Sequence, residues 1–199
     1  MTLIVGLVHN GNTYLASDSC ASDGHTYNLT AHPKLFSNSS LSIGYTSSFR
    51  MAQLLEHSFI PPKRANKTPP LTYLVRDVVP SLRKLFKDGG YGTVSNNSET
   101  GGQFLVALDN QIFTVQSDFS VSVWRQPFAA VGSGEEPALG ALWATAGLKL
   151  PPEERLLLAL EATESIVTTV RAPFFVMRQS QQAVELLRPL SVSTERPLS

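Results

Sequence analysis

The sequence predicts an α+β domain of two stacked, mainly antiparallel sheets with helices packed outside them. Three observations carry this. Apolar runs come in pairs joined by short polar turns, as in Leu3–Val8 and Thr13–Ala16 around Asn10-Gly11, and Phe104–Leu108 and Gln111–Val115 around Asp109-Asn110. Clusters of such strands alternate with pairs of helical patterns along the chain. Hydrophobic residues make up 42% of the 199 residues and charged residues 16%, enough apolar surface for one domain with a real core. The expected organisation is one domain over 1–199, with 189–199 a loose tail.

In chain order, the first hairpin is followed by a polar, turn-rich stretch from Ser19 to Thr30. Leu35-Phe36 and Leu41–Tyr45 flank Ser37-Asn-Ser-Ser40 and read as a second hairpin. Phe49, Ala52, Leu54, Leu55 and Phe59 fall at helical spacing, with Ser47 or Ser48 as the cap and Pro61-Pro62 as the stop. The loop to Pro70 carries Lys63, Arg64 and Lys67, which read as solvated charges. Leu74, Val78, Val79, Leu82 and Leu85 mark one face of a second helix, with Pro80 predicting a kink or break inside it. Tyr91–Gly102 reads as a polar loop. The hairpin around Asp109-Asn110 follows, then an alternating strand from Asp118 to Trp124 and a short strand at Ala129–Val131. Glu135–Ala146 has a helical face of Leu139, Leu142 and Trp143. Pro151-Pro152 opens another helix, with Leu156, Leu157, Leu160 and Ile166 inside. Phe174–Met177 is a buried strand, and Ala183–Leu187 is a further short element.

Composition excludes several classes. The formal net charge is zero, which argues against a large nucleic-acid surface. The single cysteine, Cys20, allows no internal disulfide and no cysteine cluster around a metal. Leu3–Val8 is too short for a membrane span, and no signal-peptide pattern surrounds it. The expectation is a cytoplasmic protein with no membrane or nucleic-acid partner, no metal and no cofactor.

The candidate chemistry starts at the chain's opening. Most chain ends fray, but one leading directly into a strand is held. Thr2 follows Met1, and aminopeptidases remove an initiator Met before a small side chain. A chain beginning at Thr2 carries a hydroxyl and a free α-amine on adjacent carbons. The hydroxyl is a weak nucleophile without a base, and an α-amine with a pKa of roughly 7.7–8.0 accepts a proton near neutrality. Asp18 ends the second strand and folds back beside the start, while Lys34 opens the next strand. An ammonium near Thr2 would ease proton transfer from its hydroxyl, and Asp18 would hold that ammonium.

Other constellations are weaker. Gly132-Ser133-Gly134 lacks the longer phosphate-loop fingerprints and reads as a strand-to-helix turn. His9, His25, His32 and His57 show no metal-ligand spacing. Glu135-Glu136 and Glu153-Glu154 complement the dipoles of their helices.

Taken together, Thr2-Leu-Ile-Val-Gly, Ala16-Ser-Asp18, Pro33-Lys34-Leu-Phe, Ile43-Gly-Tyr-Thr-Ser-Ser and Ala130-Val-Gly-Ser-Gly134 followed by Ala138-Leu-Gly-Ala-Leu resemble the proteasome β-subunit family. The resemblance is closest to HslV-type peptidase subunits and proteasome-related chains of bacteria and phages, and it runs from Thr2 to about Met177. It implies a four-layer αββα Ntn-hydrolase fold. It implies Thr2 as nucleophile with its own amine as base, Lys34 and Asp18 as electrostatic support, and Ser133 organising the amine. The backbone N–H of Ser47 falls at the family's oxyanion donor, where the family carries Gly. Ser165 and Thr168 fall at the secondary support positions, the first of which is Asp in many members. The implied partners are copies of the same chain in a ring or stacked rings, a peptide or unfolded-protein substrate, and an unfoldase. The implied function is peptide-bond cleavage. The alternatives are a catalytically inactive assembly protein and a small-molecule amidase of the same fold.

Overall fold

The structure, a computed structural model, describes residues 2–95, 98–179 and 184–190. Strands β1 (Leu3–His9) and β2 (Asn12–Ser17) form the first hairpin. Asn10 and Gly11 turn it with φ of 48° and 71°, the left-handed pair that matches the twist of the flanking strands. The stretch after it, expected to be irregular, holds a small hairpin of β3 (Cys20–Ser22) and β4 (Tyr27–Leu29). Asp23 ties that turn by accepting from the His25 and Thr26 N–H groups. Next come β5 (Leu35–Asn38), β6 (Leu41–Tyr45) and α1 (Phe49–His57). Ser48 is the cap, accepting from the N–H groups of Arg50 and Met51.

The second helical region is continuous but not uniform. It runs through α2 (Pro70–Tyr73), a π turn (Leu74–Val78) and α3 (Val79–Asp88). Val79 donates to the Leu74 carbonyl five residues back. Pro80 brings no N–H and crowds the carbonyl four residues before it, and a π turn at that point absorbs both problems.

A second short hairpin, β7 (Thr93–Ser95) and β8 (Ser98–Thr100), replaces the expected loop. Strands β9 (Phe104–Leu108) and β10 (Gln111–Val115) turn at Asp109 and Asn110, with φ of 50° and 60°. The expected strand from Asp118 to Trp124 shrinks to β11 (Val121–Ser122). Asp118 accepts from the Ser120 N–H and Phe119 has φ of 66°, so the chain is still turning where alternation predicted extension. Then follow β12 (Phe128–Gly132), α4 (Glu135–Ala144), α5 (Pro152–Glu164), β13 (Phe174–Gln179) and β14 (Val184–Leu190). Residues 189 and 190, expected in the tail, close β14. The rest of that tail, 191–199, lies outside the described residues.

One five-stranded sheet has the order β12-β1-β2-β13-β14 and the other β11-β10-β9-β6-β5. Every pairing in both is antiparallel. Three apolar clusters fill three interfaces. Leu3, Val5 and Leu7 of β1 meet Leu142 of α4 and Leu156 and Leu160 of α5. Ile4, on the opposite face, meets Leu35, Leu105 and Val131 between the sheets. Phe104, Val106 and Phe113 pack against Met51 of α1 and Leu82 of α3. The result is four layers, helix–sheet–sheet–helix.

The period of two in β1 explains why a continuous apolar run is needed there: both faces are covered. Each fully buried Leu, Ile or Val contributes roughly 1.5–3 kcal/mol, so the strand leading away from Thr2 is firmly held. Gly44 lies inside β6. A Cβ there would meet Ile4 Cγ2 at 2.5 Å, so the glycine lets the two sheets approach. Two expected core residues are on the surface: Trp143 is 65% exposed and Ile166 70%. Residues 141–143 are all apolar, so periodicity alone did not choose between Leu142 and Trp143.

Candidate active site

Thr2 immediately precedes β1 and is buried. Its carbonyl accepts the Ser133 N–H at 2.8 Å, which extends the β1–β12 ladder by one pair. Its hydroxyl makes no hydrogen bond to a described side chain or backbone group. The next residue is tied as tightly: the Leu3 N–H donates to Asp18 Oδ1 at 3.0 Å.

Asp18 follows β2 and is fully buried. Oδ1 also receives Lys34 Nζ at 2.9 Å, and Oδ2 receives the Cys20 N–H at 2.8 Å. Lys34, just before β5, is fully buried too, and its ammonium donates a second bond to the Cys20 carbonyl at 2.6 Å. Its third N–H has no partner among the described residues. One carboxylate oxygen thus links the backbone beside Thr2 to a lysine brought from sixteen residues further on. Burial pushes the Asp18 carboxyl up, against the pull of Lys34 and the backbone donors. Burial likewise pushes the Lys34 ammonium below its ordinary value of 10.5, against the pull of Asp18. Neither charge would persist there without the other.

Across from them runs the turn at Thr46-Ser47-Ser48. Ser47 has φ of 65°, and the Ser48 N–H donates back to the Thr46 carbonyl at 2.7 Å. This is a tight γ-type turn at a left-handed residue. The serine therefore adopts a conformation that a glycine adopts without cost, at a penalty of about 1–2 kcal/mol. Its hydroxyl helps hold the turn by accepting the Gln103 N–H at 3.1 Å, while Thr46 Oγ1 donates to the Gln103 carbonyl at 2.7 Å. Ser47 is exposed, and its N–H has no partner among the described residues.

Gly132 brings the two sides together. It has φ of 98°, and a Cβ there would lie 2.1 Å from the Thr2 carbonyl oxygen and 2.8 Å from Thr46 Cγ2. No side chain fits. Ser133, next in the chain, pairs its hydroxyl with Thr169 Oγ1 at 2.8 Å. Glu135 stands close by, its carboxyl pushed up by burial and by Glu136, with the Gly132 N–H pulling it down.

The expected support from Ser165 and Thr168 is not where the sequence placed it. Ser165 caps α5, donating to the Ala162 carbonyl at 2.7 Å, and both residues are exposed. The hydroxyl that meets Ser133 belongs to Thr169, which is 8% exposed. Alternation around a turn after α5 would not have identified it. Among the described residues, no group of three or more His, Cys, Asp or Glu side chains is placed to hold a metal ion. Among them, too, no helix is long and apolar enough to cross a membrane.

No protein-family model matches the sequence, and no curated protein matches it. Solved structures do. BPH of Thiobacillus denitrificans superposes with a TM-score of 0.78 at 20% identity, over 90% of this chain and 98% of that one. HslV of Trypanosoma brucei gives 0.64 at 16%, over 90% and 100%. A Gly-1 mutant of Anbu from Hyphomicrobium sp. strain MC1 gives 0.66 at 14%, over 94% and 86%. At these identities the likeness is one of fold: the chain has the αββα fold of proteasome-type Ntn hydrolases.

Proposed function

We propose that this protein is an N-terminal-threonine amide hydrolase that cleaves peptide bonds. The observation carrying the reading is the buried Lys34–Asp18 pair whose carboxylate also binds the N–H next to Thr2. A fully buried ammonium with an N–H that no described residue accepts is costly to fold. It is explained if the ammonium stabilises a hydroxyl losing its proton.

With Met1 removed, the Thr2 amine takes the hydroxyl proton as Oγ1 attacks the carbonyl carbon. The oxyanion that forms accepts the Ser47 N–H, a type of donor worth about 10²–10³ in rate. The amine then returns the proton to the departing nitrogen, the C–N bond breaks, and an ester to Thr2 remains. Water attacks the ester with the same amine as base and releases the acid. Ser133, held by Thr169, orients the amine. Lys34 and Asp18 stay charged throughout.

Mass spectrometry of the isolated protein tests the premise, with a chain starting at Thr2 expected. Thr2→Ala is expected to abolish cleavage of peptides while leaving the melting temperature close to wild type. BPH was solved in complex with epoxomicin, so this compound is the probe: a mass shift mapping to Thr2 supports the reading. An unprocessed Met1 in active protein would overturn it.

The same reading includes assembly into a closed homo-oligomer, an unfolded-protein substrate and an unfoldase partner. Exposed Ile60 and Ile166 are apolar surface of the kind assembly covers. Native mass spectrometry gives the subunit number.

A further inference from the structure

Among the described residues, strand β12 has one strand neighbour, β1; on its other edge the Gly132 N–H faces the Glu135 carboxyl, and the stretch before it pairs with no strand. The ladder shows which backbone groups face that edge. Val8 donates to the Pro127 carbonyl and Ser133 to the Thr2 carbonyl. Hydrogen-bonded pairs alternate in an antiparallel ladder, so residues 127, 129, 131 and 133 bond to β1. Phe128 and Ala130 point their N–H and C=O away from it, and none of these groups has a partner among the described residues. They line a cavity of about 470 Å³. Buried backbone groups are rarely left without partners, and two residues offering both groups at this spacing match an extended chain laid alongside.

The walls fit the same occupant. On one side stand Leu139, Gly140 and Trp143 of α4, and on the other Gln103, Gln116 and Trp124. Gln103 Nε2 donates to Gln116 Oε1 at 2.8 Å, and Trp124 Nε1 to Thr114 Oγ1 at 2.9 Å, so the second wall is braced. A strand added to β12 would send alternate side chains toward the two walls. Gln103 joins the cavity to the turn at Ser47. Its backbone holds that turn while its side chain lines the cavity. Ala130 is three residues from Ser133.

We propose that this cavity binds an extended segment of the substrate, on one flank of the bond to be cleaved, as a strand added to the free edge of β12. The proposal rests on the peptidase reading for its substrate, but its geometry is separate from Thr2 chemistry.

Two variants test it. Ala130→Pro removes an N–H that β1 does not use, a place where an edge strand tolerates proline. Gly140→Phe projects a ring toward the cavity; a Cβ at Gly140 meets nothing within 4 Å, so the side chain starts in open space. Either variant suffices if the other fails to fold. Peptides sharing one cleaved core are compared with and without three added residues on each flank. Extension on one flank is expected to raise kcat/KM about tenfold in the wild type, the scale of one or two net hydrogen bonds. That gain is expected to vanish in both variants, with the unextended core cleaved as before. Trp124 and Trp143, the chain's two tryptophans, both line the cavity. Their emission in Thr2→Ala protein is expected to change saturably with the extended peptide. Saturable emission without cleavage by any enzyme form would sink the peptidase reading and uphold strand docking. An equal gain on extension in wild type and variants, with emission unmoved by peptide, overturns the proposal. So does emission that responds to protein concentration and not to peptide, which would assign the edge to a second copy of the chain.

Discussion

Two Lys–Asp pairs in this molecule have nearly the same geometry and opposite surroundings. Lys34 and Asp18 meet at 2.9 Å with both side chains fully buried. Lys84 and Asp88 meet at 2.8 Å, one turn apart on α3, with 78% and 61% of their side chains exposed. Their acid–base behaviour differs in sign. Burial pushes Lys34 below 10.5, whereas the Asp88 hydrogen bond lifts Lys84 above it. Distance therefore says little about what a pair does. The exposed pair is a helix-surface contact of the kind that barely affects stability. The buried pair is a cost the fold bears, and such costs cluster at sites of chemistry.

The largest test of that contrast is to cut the buried pair. Lys34→Met leaves Asp18 buried without its cation and is expected to cost about 3–5 kcal/mol of stability. It is also expected to abolish peptide cleavage. The companion change to Asp18→Asn should recover much of the stability, because no lone charge remains, and none of the activity. Chemical denaturation and peptide assays on the two variants separate the pair's structural part from its catalytic part. Recovery of cleavage in the double variant would show that the ammonium is not needed.

A smaller test uses pH. A lowered Lys34 value means that, between its folded value and 10.5, the unfolded chain holds the extra proton. Its contribution to stability therefore rises with pH in that window. Cleavage should fall over the same window as the ammonium is lost, so activity declines while the fold does not. For Lys84 the sign reverses: its raised value gives a contribution present below 10.5 and lost as pH climbs through the folded value. Denaturation midpoints of wild type, Lys34→Met and Lys84→Met across the alkaline range would show the two differences sloping opposite ways. The smallest effect is expected from Lys84→Ala at neutral pH, with no resolvable change in melting temperature or cleavage. A clear loss there would erase the distinction between the pairs.

Much of the site was legible because its parts lie on two successive hairpins. Register in the first hairpin carries Asp18 beside the chain's opening, whereas Lys34 opens a strand of the other sheet and reaches Asp18 through the stacking of the two sheets. The Ser47 turn was legible as a position but not as a conformation. Its positive φ goes with a contact from fifty-six residues away, the Gln103 N–H donating to its hydroxyl. Thr169 was missed for a similar reason: its contact with Ser133 spans thirty-six residues and starts from an irregular stretch with no period to count. The short hairpins at 20–29 and 93–100 were missed because their strands are three residues long and rich in polar side chains, too short for alternation to register.

By itself the sequence determined the local choices: where strands turn and where helices start. Those choices depend on neighbours a few positions apart, through φ preferences, caps and side-chain period. The tertiary structure decided which polar groups lose their water and which edges stay open. It buried Lys34 and Asp18 completely, turned Trp143 outward, and left Phe128 and Ala130 facing a cavity. Solvation and strand pairing are set by what distant segments bring alongside, and no local pattern records that.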